Sequence, residues 1–279
     1  MNSASSQSSL ATYRWSGSAK LYLDTPAIST CEQVVVGCYG GNTKAGAQKN
    51  EDGALVWCDK EQNWEFALIV DAHYTPQSAD LLLDAIESIQ PAIVEALTQP
   101  ISTAFFSLQQ HIVTLLGSPA FLKRCREVIG EASCLFCARK DRFLWWLNIG
   151  DCVLYLLHPE LAYMGQIPLN QRSFFEWVGR TNTFELPVPC FSSGIKELRF
   201  GWNRILLVTD GLLEYGSRPY DNPFRLYQAF TDRQEVRETN LSALVQHALK
   251  RVHKEKGRDS ATIIVWDYYN RQGATYSAP

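Results

Sequence analysis

Asp71 and His73 stand two residues apart at the end of an apolar run, Phe66 to Val70, within the stretch NWEFALIVDAHYTPQSAD (63–80). A carboxylate and an imidazole closing a strand that reads as fully buried are costly to desolvate unless they hold something. The pattern recurs. Asp210 ends the run ILLVT, Asp259 stands just before ATIIV, and Asp52 follows an earlier strand in KNEDGALVW. If these strand ends converge, several anions share one cleft, and bare carboxylates there repel until at least one takes up a proton. A hard divalent cation removes the repulsion, because Mg²⁺ or Mn²⁺ prefers carboxylate, carbonyl and water oxygens. Taken singly, each Asp is more often a turn former or helix cap, and Asp210-Gly211 is a common turn dipeptide. Their joint placement carries the inference.

The elements that must position these groups follow from hydrophobic period. Residues 32–41 and 65–73 read as strands from β-branched or continuous apolar runs. After Thr75 and Pro76, an N-cap and a first helical residue, Leu82, Ala85, Ile86, Ile89, Ile93 and Leu97 recur at helical spacing. Pro91 should kink or split that helix. A second helix is expected over about 101–128, ending before Gly130. Strand patterns return in ASCLFCAR, FLWWLNIG and CVLYLLH, and ELRF with RILLVTDG reads as a hairpin. Residues 240–256 form an amphipathic helix with a cationic last turn, which complements the helix dipole. ATIIVWDY closes the chain as a strand. The segment from about 159 to 197 has no assignable pattern; its aromatic part, 166–184, suits a specificity loop and a structural cap over a sheet equally.

Composition bounds the partners. The 279 residues are 46% hydrophobic and carry 26 basic against 29 acidic side chains, enough for a large core but with no positive field for nucleic acid or anionic lipid. A metal-dependent nuclease uses similar carboxylates but needs a basic groove that is missing here. No apolar run approaches a membrane span, and the Ser-rich start has no leader pattern, so the chain is expected to be cytoplasmic, with no membrane partner and residues 1–20 flexible. The eight cysteines lie within apolar segments and read as reduced core thiols. Cys134 and Cys137 form C-x-x-C, but nothing completes a zinc set.

An ordered series of motifs resembles the metal-dependent serine/threonine protein phosphatases of the phosphatase 2C type. KNEDG (49–53) is similar to the family's N-E-D motif, VDAHYT (70–75) to V-D-G-H-G-G, and GEASCLFC (130–137) to its G-S/T-T-A strand. NIGDCVLYLL (148–157) is similar to N-x-G-D-S-R, LLVTDGLLE (206–214) to L-x-S-D-G-L-W-D, and GRDSATIIVW (257–266) to x-D-N-x-T-x-I-V. The matches run from about 32 to 268.

The resemblance implies an α+β fold, a four-layer α-β-β-α sandwich of two antiparallel sheets flanked by helices, forming one domain over residues 21–279 and acting as a monomer. It implies two Mn²⁺ or Mg²⁺ ions, with Asp71 bridging them, the carbonyl of Ala72 on the second, and Asp210 and Asp259 completing the first. Glu51 and Asp52 would reach the ions through water, and Asp151 would serve a third, weaker ion. His73 would protonate the departing serine or threonine oxygen of a phosphoprotein, a role that an ordinary imidazole pKa suits. Three departures stand out. D-A-H-Y-T lacks the family glycines, so Ala72 would be strained if its φ must be positive. Ser260 replaces an Asn. The phosphate-gripping arginine three residues before the N-E-D asparagine is Ala47, leaving Lys49 or Lys44 to substitute as point charges. A pseudophosphatase acting as a binding or regulatory module is the alternative.

Overall fold

The computed structural model describes residues 10–231 and 240–273. Strands β1 (Ala11–Ser16), β4 (Gly53–Asp59), β5 (Trp64–Ala72), β6 (Glu131–Lys140), β7 (Phe143–Ile149) and β10 (Ser192–Glu197) form one antiparallel sheet in the order β1-β4-β5-β6-β7-β10, with the short β9 (Val178–Gly179) also on β6. A second antiparallel sheet has the order β2-β3-β12-β11-β8, from β2 (Ala27–Cys31), β3 (Val34–Tyr39), β8 (Val153–Leu157), β11 (Gly201–Val208) and β12 (Ala261–Asn270).

Strand β5 explains the layering. Trp64, Phe66, Leu68 and Val70 face outward into a core shared with α1 (Gln77–Ser88), α2 (Gln90–Thr98), α3 (Ile101–Leu116) and α4 (Pro119–Cys125). The alternate residues Ala67 and Ile69 pack inward against Val36, Leu207 and Ile264 of the other sheet. Both faces are covered, so the run is continuously apolar rather than alternating. On the far side, after the short α5 (Pro159–Tyr163) that follows β8, helices α6 (Gly211–Glu214), α7 (Pro223–Phe230) and α8 (Leu241–Lys254) cover the second sheet through Leu212, Phe230 and Leu249. The expected α-β-β-α sandwich is what the chain builds.

Local differences have physical causes. Ala11–Ser16, within the 1–20 segment expected to be flexible, pairs with β4 along its whole length as β1; residues 1–9 lie outside the described residues. The helix split at Pro91 occurs as expected, at Ile89, with Pro91 in the first turn of α2. The single helix expected over 101–128 is two, because Gly117 ends α3 and Ser118 caps α4, its hydroxyl accepting from Phe121 N at 3.3 Å with Pro119 in the first turn. The expected ELRF–RILLV hairpin does not form: β10 pairs with β7 and β11 with β12 and β8, so the connection crosses between sheets. All eight cysteines are free and only Cys190 is exposed. Cys134 and Cys137 lie on opposite faces of β6.

Between the sheets, at the end of β5 remote from Asp71, Glu65 and its cross-strand partner Arg139 are 2% and 3% exposed. Arg139 Nε donates to Glu65 Oε2 at 2.6 Å and Nη1 to Asn63 Oδ1 at 2.8 Å. The guanidinium lies 4.5 Å from the ring centre of Tyr268 in β12.

Candidate active site

Asp71 sits at the end of β5 on the inward face, paired in register with Ser133. Asp52 immediately precedes β4, Asp210 follows β11, Asp259 precedes β12 and Asp151 lies in the β7–β8 connection, so both sheets contribute carboxylates to one end of the sandwich. Asp52 links the sheets directly: its Oδ2 accepts from Thr209 Oγ1 at 3.0 Å and Thr262 Oγ1 at 2.7 Å. Two glycines permit this convergence. A Cβ on Gly211 would fall 1.7 Å from Ser260 O, and one on Gly150, whose φ is +93°, would fall 2.3 Å from Ser133 Cβ. The sequence dipeptides D-G and G-D are therefore required by close approach as well as by turn geometry.

The cluster is strongly acidic and incompletely compensated. Burial pushes the Asp71 carboxyl well above the ordinary range, and the charges of Asp210, Asp52, Asp259 and Asp151 push it further. Asp52 is raised in the same direction, chiefly by burial, against the lowering effect of its threonine bonds. Asp210 is raised to about 7 by burial and then by Asp259 and Asp151. One buried oxygen on each of Asp52, Asp71 and Asp151 has no hydrogen-bond partner. These unpartnered hard oxygens fit a divalent cation. Among the described residues, however, no three His, Cys, Asp or Glu side chains stand close enough around one point to hold an ion as they are placed.

The electrostatics predict a pH dependence. The folded protein holds protons on these carboxylates at pH values where the unfolded chain has released them, so stability falls as pH rises between the unfolded and folded pKa values. For Asp210 that window runs from about 4 to about 7. Denaturant unfolding in chelator is expected to show a loss on the order of 2–4 kcal/mol across it. Asp210→Asn should flatten the slope.

The other expected residues divide. His73 is half-buried, with its ring edge-on to Trp177 at 4.8 Å between centres and its Nδ1 buried without a partner. Ala72 is buried at the last position of β5 and does not have positive φ; Tyr74 does, at +71°, so the strain expected at Ala72 falls two residues later. Ser260 takes a role of its own, its hydroxyl accepting from Glu51 N at 3.4 Å. Lys49 donates to Glu51 Oε1 at 2.5 Å and Tyr74 O at 2.9 Å. Beside the cluster, a cavity of about 400 Å³ is lined by Ala47, Lys49, Glu51, Arg258, Asp259 and Ser260, whereas Lys44 stands outside it on the turn Thr43–Ala45.

Two arginines escape sequence reasoning. Arg258, exposed in that cavity, is signalled only by its place before Asp259 in GRDS. Arg172 reaches Asp151, Asp210 and Glu214 from within the patternless segment, and nothing in its neighbours signals this.

Solved structures that share this sandwich fold include bacterial serine/threonine phosphatases. The chain is similar to a bacterial serine phosphatase carrying a point substitution (15% identity, 86% of this chain and 99% of the other, TM-score 0.62). It is similar also to PppA of Pseudomonas aeruginosa (14%, 84% and 97%, TM-score 0.59) and to a serine/threonine phosphatase of Staphylococcus aureus (16%, 88% and 94%, TM-score 0.57). No protein-family model and no curated protein matches the chain.

Proposed function

We propose that this protein hydrolyses phosphoserine or phosphothreonine monoesters in proteins with the help of Mn²⁺ or Mg²⁺. The observation that carries the reading is the gathering of buried carboxylates with unpartnered oxygens at one end of the sandwich. A scaffold has no need of such an arrangement, which is costly unless neutralised. The named function of the structural neighbours supports it.

Asp71, Asp210 and Asp259 would hold the ions, with Ala72 O beside them, Glu51 and Asp52 acting through water and Asp151 serving an outer ion. When bound, such ions supply positive charge against the phosphoryl oxygens and a water acidic enough to attack phosphorus. The chain's own groups do the rest. Thr209 and Thr262 fix the Asp52 carboxylate, so that it need not reorganise. Trp177 packs edge-on against the His73 ring, and the half-buried His73 would deliver a proton to the leaving serine or threonine oxygen. Arg258, which lines the same cavity, would supply the bidentate fork that Ala47 lacks, with Lys49 as a point charge already engaged by Glu51.

Arg172's hold on Asp151 and Asp210 favours the second reading, a catalytically silent binding module. Hydrolysis of p-nitrophenyl phosphate and of a phosphothreonine peptide, with Mn²⁺ and with chelator, separates the two. Turnover of the peptide that requires the ion is expected; no turnover of either substrate at high Mn²⁺ would support the silent module.

A further inference from the structure

Arg172 has no part in the chemistry just described, yet it is the best-connected cation at the acidic end. Its chain segment is pinned beside Asp151, with Ser173 N donating to Gly150 O at 3.0 Å. Nη2 donates to Asp151 Oδ2 at 3.2 Å and Asp210 Oδ2 at 3.4 Å, and Nη1 to Glu214 Oε1 at 2.7 Å. The side chain is only 20% exposed, and the ring of Phe174 lies 5.1 Å from the guanidinium carbon. Its two inner partners are 5% and 17% exposed, so these charge-assisted bonds are largely shielded from water.

One guanidinium thus pairs with Asp151 and Asp210, while no basic side chain pairs with Asp52 or Asp71 among the described residues. Resting on the metal reading above, we infer that Arg172 is a built-in competitor for the outer divalent ion. It engages Oδ2 of Asp151, the residue given to that ion above, and also Oδ2 of Asp210, which belongs to the inner ligand set. A dication brought to those oxygens meets a fixed like charge within bonding distance of the same atoms, in a site with little water to screen it. The ion binds there only as the guanidinium lets go. Asp52 and Asp71 carry no such competitor, so the two halves of the cluster differ in affinity and the outer half fills only as ion concentration rises. Glu214 is the retaining anchor: it holds Arg172 in place without belonging to the proposed ligand set.

Calorimetric titration of the full chain with Mn²⁺ tests this without reference to catalysis. Arg172→Gln is expected to tighten the weaker Mn²⁺ site about tenfold or more while shifting the tighter one, which shares Asp210, by a smaller factor, and to lower the melting temperature in chelator. Arg172→Lys, which keeps the charge, should stay near wild type. Glu214→Gln, an exposed change that leaves all proposed ligands intact, should tighten the weaker site by a smaller factor and serves if Arg172→Gln fails to fold. Weaker-site affinity that is unchanged or reduced in folded Arg172→Gln or Glu214→Gln would overturn the inference, making Arg172 a support and not a rival. Absence of any Mn²⁺ uptake by wild type would instead overturn the metal reading itself.

Discussion

Asp71→Asn is expected to lower Mn²⁺-dependent turnover of a phosphothreonine peptide by on the order of a thousandfold, the scale set by losing one preorganised electrostatic contact in a water-poor site. The same variant should melt higher than wild type in chelator. Asp71 is 8% exposed, one of its oxygens has no hydrogen-bond partner, and four neighbouring carboxylates oppose its ionisation. A neutral side chain of the same shape removes that repulsion, and each kcal/mol recovered raises the midpoint by about 2–4 °C in a chain of this size. With Mn²⁺ the order should reverse. An ion at a hundred times its dissociation constant stabilises the wild-type fold by about 2.7 kcal/mol, which a variant that binds it poorly does not gain. Calorimetric melting of both proteins, with chelator and with Mn²⁺, reads this out. A variant that melts lower under both conditions would show that Asp71 holds the fold together and is not reserved for a ligand.

Glu65→Ala is expected to destabilise the protein by about 3–5 kcal/mol, the usual consequence of stranding one member of a buried ion pair. Arg139 would remain 3% exposed, keeping its bonds to Asn63 but losing both to the Glu65 carboxylate. Gln33 would lose its acceptor in the same step. Glu65→Gln keeps the shape and one acceptor, so it should cost less. Urea unfolding of the two variants checks the order; a loss below about 1 kcal/mol for Glu65→Ala would mean that water reaches Arg139 and rescues it.

Most of the central architecture was legible because strand type and strand termini are local properties. The runs around Val36, Ile69, Leu207 and Ile264 announce buried strands by composition, and the carboxylates beside them announce their ends. Pro91 likewise told where a helix divides, because the reason is written in one ring. Partnering is not local. Whether Ser192–Glu197 turns back on Gly201–Val208 or crosses to β7 depends on where the other sheet lies, and the short connection between them is compatible with both. The helix break at Gly117-Ser118-Pro119 was readable in principle, as a Ser cap followed by a Pro, but the apolar spacing runs through it and masks it. Among site residues, the aspartates and His73 carry their signal in position. Arg172 carries none, since an arginine in an irregular segment can point anywhere until the fold fixes its anchor.

Strand β5 shows the same face to the interior at Glu65, Ala67, Ile69 and Asp71, with an acid at each end and two small or medium apolar residues between. At the Glu65 end, Arg139 neutralises the acid and Tyr268 of the opposite sheet lies against that arginine, so the two sheets are clamped together there. At the Asp71 end the carboxylates push against one another. The sandwich is therefore built like a pair of tweezers, pinned at the base and loaded at the tips. Breathing is expected to be greater at the acidic end, where the Asp52 bonds to Thr209 and Thr262 join the sheets against that repulsion, so amide hydrogens along β5 should exchange progressively more slowly from Asp71 toward Glu65.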